Sequence, residues 1–176
     1  MSLVVRTFRL DDEAPALVTL ARELFTDTFG HLYPPQHLEE YLSSTYTVEH
    51  VARWVGGEGQ MELLGAFNGR DIVGYCLTGP CTLPLDEATA SHGEIHKLYI
   101  KRTQFGTGVS HELMKRAMKS LERFPHDHVY LGVYSENPRA IAFYSKFGFS
   151  KVGEYDFIVG ETRDREFIMR AGLDAV

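Results

Sequence analysis

Strand-like and helix-like stretches alternate from one end of this 176-residue chain to the other, and no low-complexity run, internal repeat or charged linker separates them. Each element must bury its apolar face against a neighbour, so the pattern implies one mixed domain over residues 1–176. The composition, 44% hydrophobic and 24% charged, is that of an ordinary globular protein. A chain of this length hides roughly 70% of its unfolded surface and needs no disulfide or metal staple. Cys76 and Cys81 form no Cys-x-x-Cys motif and read as incidental thiols of a reducing compartment, not metal ligands. The net charge of −6 argues against a nucleic-acid surface and leans toward neutral or cationic partners. The first residues carry no basic segment leading into an apolar core, and no window approaches eighteen apolar residues. The expectation is a soluble, cytoplasmic protein without a membrane partner.

Residues 3–9 are rich in β-formers, and Asp11, Asp12, Glu13 and Pro15 signal a helix carrying Leu17, Leu20, Ala21, Leu24 and Phe25 at helical spacing. Pro34 and Pro35 open a second helix, and Thr47 caps a third that Gly56, Gly57 and Gly59 end. Residues 61–67 and 71–77 flank Asn68-Gly69 as a hairpin. Strands follow over 94–100 and 129–134, with a helix between them bearing Val109, Leu113, Ala117 and Leu121 on one stripe. Pro138 starts a last helix that Gly148 ends, and residues 149–159 and 163–169 close the chain as a strand pair.

Two segments carry chemistry. Residues 100–111 run from a strand end through Gly106-Thr107-Gly108 into a helix. Glycines admit close backbone approach, and free N–H groups at a helix start suit an anionic pyrophosphate, although Gly-x-Gly before a helix also serves as a plain tight turn. The loop is neither a Walker loop nor a dinucleotide fingerprint, since Gly-Lys-Ser/Thr is missing and position 111 is His. The second segment is Asn137-Pro138-Arg139-Ala140-Ile141-Ala142-Phe143-Tyr144-Ser145-Lys146-Phe147-Gly148-Phe149.

Together these segments resemble the GCN5-related N-acetyltransferase (GNAT) superfamily, whose Asn-x-x-Ala-x-x-x-Tyr-x-x-x-Gly-Phe helix is matched at every position. The resemblance implies an α/β (α+β) fold with a mixed, mostly antiparallel sheet of six to seven strands flanked by helices and splayed between its fourth and fifth strands. It implies acetyl-CoA as cosubstrate, no metal and a small amine as partner, and is compatible with a homodimer. Backbone groups of Leu98 and Ile100 would pair with the pantetheine arm, beside Tyr99. Phe105, Gly106, Thr107, Gly108, Val109, Ser110 and His111 would hold the pyrophosphate. Asn137, Ala140, Phe143, Tyr144 and Lys146 would line the cofactor tail, with helix capping an alternative role for Asn137. The family usually carries Gln or Arg where this chain has Phe105, with Gln104 one position early. That departure bears on affinity more than on the site, because such a loop captures phosphate through backbone N–H groups.

Acetyl transfer to an amine needs a neutral nucleophile, oxyanion stabilisation and a proton for the leaving thiolate. The resemblance makes Tyr144 the general acid; a tyrosine packed in the core is the alternative. Glu94 and His96 are expected to share one strand face with Leu98 and Ile100 and are the candidate bases. An imidazole is the side chain whose ordinary titration suits a base at neutral pH, whereas Glu94 would need burial to raise its pKa. Tyr99, Tyr134 and Glu136 are lesser candidates. On the acceptor side, residues 25–42, the 131–137 stretch and the closing Phe157-x-x-Gly160 resemble the bacterial spermidine N-acetyltransferase subgroup. Asp27, Tyr33, Glu39, Glu40 and Tyr41 could hold a polycation by charge and cation–π contact, while Glu39 and Glu40 also read as a solvated helix face. The expected reaction is direct acetyl transfer through a tetrahedral intermediate to a polyamine or similar small amine. A peptide N-terminus or antibiotic amine as acceptor, or a non-catalytic acyl-CoA sensor, are the alternatives.

Overall fold

The computed structural model describes residues 3–9 and 13–173; the acidic pair Asp11 and Asp12, expected before the first helix, lies outside them. Among the described residues seven strands form one sheet: β1 (Leu3–Thr7), β2 (Glu62–Asn68), β3 (Asp71–Pro80), β4 (Gly93–Ile100), β5 (His128–Tyr134), β6 (Ser150–Val159) and β7 (Thr162–Gly172). Their spatial order is β1-β2-β3-β4-β5-β7-β6. The helices are α1 (Ala14–Phe29), α2 (Pro35–Thr45), α3 (Val48–Val55), α4 (Val109–Leu121) and α5 (Pro138–Ser145). The expected caps hold: Thr47 accepts from the His50 N–H at 3.1 Å, and proline stands in the first turn of α1, α2 and α5.

Every neighbouring pair is antiparallel except β4 and β5, which run parallel, so α4 must cross over between them. That parallel ladder covers only Gly93, Glu94 and Ile95 against Val129, Tyr130 and Leu131. Beyond it the strands part. The facing backbone of β4 through Ile100 has no strand partner there, while β5 continues against β7 to Tyr134.

The apolar patterning fills both faces. On one, the α4 stripe Val109, Leu113, Met114, Ala117, Met118 and Leu121 packs on Leu64, Cys76, Ile95, Val129 and Leu131. On the other, Leu17, Leu20, Leu24 and Phe25 of α1 pack with Leu42, Val51, Leu63, Phe67 and Tyr75. β3 lies between these layers and is buried almost throughout, as a doubly covered central strand must be. It runs three residues past the predicted end at 77: Thr78-Gly79-Pro80 looks like a turn locally, but pairing with β4 extends it. Both cysteines are free and buried.

Leu113 is 0% exposed at the centre of the α4–sheet contact. Leu113→Ala should lower the unfolding free energy by about 2–5 kcal/mol in urea titration; a loss well under 1 kcal/mol would mean α4 does not seal this face.

Candidate active site

Where β4 and β5 part, the chain encloses a cavity of about 280 Å³ with two differing halves. One half lies at the start of α4. A 3₁₀ turn, Arg102–Gln104, leads into Gly106 (φ 79°) and Gly108 (φ 91°), the N-cap of α4. A Cβ on Gly108 would meet nothing within 4 Å, so it is the left-handed backbone, not crowding, that calls for glycine there. The first helical bond runs from the Glu112 N–H to the Gly108 carbonyl at 3.0 Å, and the N–H groups of Val109, Ser110 and His111 point from the positive end of the helix. Ser110 and Phe105 line the cavity, and the Arg139 guanidinium lies 3.4 Å over the Phe105 ring. Sequence reasoning overlooked this cation. It stands on α5 beside the loop position where a Gln or Arg was expected, and its place two residues after Asn137 was the available signal.

Of the other expected cofactor residues, Leu98, Tyr99, Ile100, Asn137, Ala140, Phe143 and Tyr144 line the cavity. Gly106, Thr107 and Gly108 shape the loop, Val109 is buried in the core, His111 packs on Phe147 at 5.1 Å between ring centroids, and Lys146 is exposed at the end of α5. Asn137 does cap its helix, accepting from the Ala140 N–H at 3.1 Å, and lines the cavity as well. Tyr144 is 8% exposed between Phe143 and Phe149, at 5.4 and 6.1 Å. Burial, with Cys76 and Glu166 adding to it, pushes its pKa well up, so the phenol keeps its proton.

The expected alternation of β4 fails at His96. Leu77 and Thr78 of β3 pair with Lys97 and Ile95, leaving His96 as the extra residue of a β-bulge. Ile95, not Glu94 or His96, therefore shares the α4 face with Leu98 and Ile100. Both candidate bases still line the cavity, but their polar atoms are engaged. Glu94 Oε2 accepts from the Thr82 N–H at 2.7 Å and hydroxyl at 3.2 Å, and Oε1 lies 3.1 Å from His96 Nδ1. His96 Nε2 lies 3.0 Å from the Pro80 carbonyl oxygen, so both ring nitrogens face acceptors. Burial alone would raise the Glu94 pKa; His96 and Thr82 outweigh it and hold the carboxyl below its ordinary value. That reverses the shift a base at this position would need.

The other half is aromatic and acidic. Phe25, Phe29, Tyr33 and Tyr41 come from α1, α2 and their junction, Lys97 and Tyr99 from β4, Tyr134 from β5, Tyr155 and Phe157 from β6, and Asp164 and Glu166 from β7. Tyr33 donates to Asp164, and the Tyr155 hydroxyl donates to Glu166 Oε2 at 2.6 Å. Burial pushes Lys97 down to about 8, with Glu166 and Glu94 opposing the shift. Tyr33 and Tyr41 thus join the cavity as expected. Asp27 and Glu39 are exposed and absent from its walls: Arg102 takes the Asp27 carbonyl at 2.7 Å, and Glu39 pairs with Arg22 at 2.7 Å. Glu40 accepts from Gln36 at 2.9 Å on the outer face of α2, and Glu136 meets the Tyr134 hydroxyl at 3.3 Å. Asp164 and Glu166 were not anticipated. Their signal was the run Arg163-Asp164-Arg165-Glu166, whose alternation puts arginines on one strand face and carboxylates on the other. The outward Arg165 pairs with Asp156 and Glu154 across the hairpin.

Residues 19–149 match the acetyltransferase (GNAT) family. An uncharacterized N-acetyltransferase of the pepI 3′ region in Lactobacillus delbrueckii subsp. lactis is 22% identical over 93% of this chain and 94% of its own. The spermidine N(1)-acetyltransferase of Thermoplasma acidophilum is 23% identical over 96% of both chains. The fold is similar to the crystal structure of PaiA N-acetyltransferase from Thermoplasma acidophilum in complex with coenzyme A, with a TM-score of 0.77 over 98% of this chain and 99% of that one at 21% identity.

Because the folded Glu94 pKa lies below its unfolded value, the contact with Thr82 and His96 stabilises the fold above the ordinary carboxylate pKa, and that stability is lost as pH falls through the folded value. Glu94→Gln should therefore be less stable than wild type at pH 7 and lose less of its stability on acidification. Denaturant midpoints between pH 7 and 3 that run parallel for the two proteins would refute the contact's role.

Proposed function

The chain belongs to the acetyltransferase (GNAT) family, and from that premise we propose that it moves the acetyl group of acetyl-CoA to a primary amine of a polyamine or similar small polycation. The observation that carries this reading is the joining of the two halves: an unpaired strand edge and helix start open directly into a pocket whose walls are tyrosines and two carboxylates.

The residues present fit acetyl-CoA. The unpaired backbone of Leu98 and Ile100 offers hydrogen-bonding groups to an amide-bearing arm, the N–H groups of 109–111 suit a pyrophosphate, and Arg139 adds a positive charge beside them. When bound, acetyl-CoA supplies an activated thioester carbonyl. Tyr144, protonated at neutral pH, lines the junction of the two halves and can hand its proton to a leaving thiolate. The acceptor half is walled by aromatic rings, and Asp164 and Glu166 present negative charge to a cation entering among Tyr33, Tyr41 and Tyr155. The likeness to the Thermoplasma acidophilum spermidine enzyme and the net charge of −6 support a polycationic acceptor.

Thiol release measured with spermidine, spermine, a peptide α-amine and an aminoglycoside should favour the polyamines. Their kcat/KM should fall as salt rises, since the attraction of a polycation by the net charge of −6 is screened over about 10 Å at 0.1 M. Thiol release with the peptide or aminoglycoside alone would overturn the acceptor and leave the acetyltransferase. Tyr144→Phe keeps the ring and loses the proton; kcat should drop on the order of 10²-fold, with acetyl-CoA affinity by calorimetry unchanged. Undiminished kcat in that variant would reduce Tyr144 to packing.

A further inference from the structure

We propose that Glu166, on β7, is the carboxylate that receives the acceptor's ammonium group and takes its proton, and that Glu94 and His96 instead fix the β4 bulge. This rests on the amine-acetyltransferase reading above and assigns its base.

The case begins with what each carboxylate has left to give. Glu94 has both oxygens engaged, by Thr82 and by His96, and His96 spends its second nitrogen on the Pro80 carbonyl. Glu166 is half-buried in the cavity wall. Its Oε2 accepts from Tyr155 at 2.6 Å, and no other hydrogen bond to its carboxylate exists among the described residues. Asp164, two residues earlier on the same strand face, is more enclosed and is held by Tyr33. Asp164, like Glu166, accepts a single tyrosine hydroxyl, but it is buried while Glu166 is only half-buried, so Glu166 is the more accessible cavity carboxylate with an oxygen to spare.

Its surroundings are built for that oxygen. Gly132 on β5 lies alongside: a Cβ there would come within 2.6 Å of the Tyr155 hydroxyl and 2.7 Å of Glu166 Oε2, so the missing side chain is what lets the pair stand where it does. The charged groups around Glu166 are Asp164 on its own strand and Lys97 and Glu94 on β4; Tyr155 from β6, Tyr99 from β4, Tyr144 from α5 and Tyr33 and Tyr41 from the α2 side are the titratable hydroxyls near it. Burial raises its proton affinity, Tyr155 and Lys97 work against this, and Asp164 and Glu94 add to it. A carboxyl set above its ordinary range is a better match to proton abstraction near neutrality than one set below it.

The protons balance. The acceptor arrives as R–NH₃⁺, and Glu166 takes one proton and later releases it to solvent. The freed lone pair forms the C–N bond to the acetyl carbon as the C–S bond breaks. Of the two remaining hydrogens one stays on the amide nitrogen and the other leaves to solvent, while the sulfur takes the Tyr144 proton and solvent restores it, so the net yield is amide, thiol and one proton.

Two measurements test this. Calorimetry of spermidine binding without acetyl-CoA should show at least a tenfold weaker Kd for Glu166→Gln than for wild type, with Glu94→Gln near wild type. In turnover, the acidic limb of the kcat/KM profile should vanish in Glu166→Gln and move to higher pH in Tyr155→Phe, which removes the donor that lowers the Glu166 pKa. The acceptor amine's own titration, at about 10, lies apart from that limb. Equal spermidine affinity in wild type and Glu166→Gln, no spermidine binding by wild type, or an acidic limb that survives in Glu166→Gln and is lost in Glu94→Gln overturns the assignment. Glu166-dependent binding of spermidine without thiol release would sustain the ammonium site and sink the transferase reading of the acceptor.

Discussion

The structure depends on how briefly β4 and β5 stay together. Three residues of each form a parallel ladder, and then the strands diverge, each held on its far side by an antiparallel partner. A parallel pair requires a crossover, so α4 begins just beyond the C-terminal end of β4, and α5 follows β5 in the same way. Two helix starts and an unpaired strand edge are thereby brought to one end of the sheet. Backbone groups left without a ladder need a partner, and in this chain the opening that leaves them bare is also the mouth of the cavity.

Within that opening, environment divides carboxylates of the same kind. Glu94 is buried among donors and Glu166 is half-buried with only Tyr155 donating, so one pKa is lowered and the other raised. The bulge at His96 helps to make the difference, because it takes Glu94 off the face of Leu98 and Ile100 and turns it toward Thr82. Lys97, one residue past the bulge, lies over Tyr46 and Trp54 at 5.0 and 6.0 Å and adds a half-buried cation near Glu166.

The walls of the acceptor half come from distant parts of the chain. Tyr33 and Asp164 are joined although 131 residues separate them, and Tyr41 stacks edge-on against Phe157 at 5.8 Å between ring centroids. The closing β6–β7 hairpin and the α1–α2 corner thus hold one another in place, and the pocket between them exists only once both have packed on the sheet.

What the sequence by itself determined were the features that local chemistry dictates. These are the strand and helix order, the Thr47 and Asn137 caps and the glycine loop before α4. They are readable because short-range periodicity and backbone stereochemistry need no distant partner, whereas the place of Tyr144 and Asn137 in the cavity wall was implied by the family resemblance. Tertiary structure alone decided the rest. A bulge shows no local signature in residues 94–100, so the faces of Glu94 and His96 followed from the register against β3. Asp27 and Glu39 look as acidic in sequence as Asp164 and Glu166, yet the first two face solvent and the second two the cavity. Burial, and with it the strength of a charge, is fixed by the elements that pack around a residue and not by its neighbours along the chain.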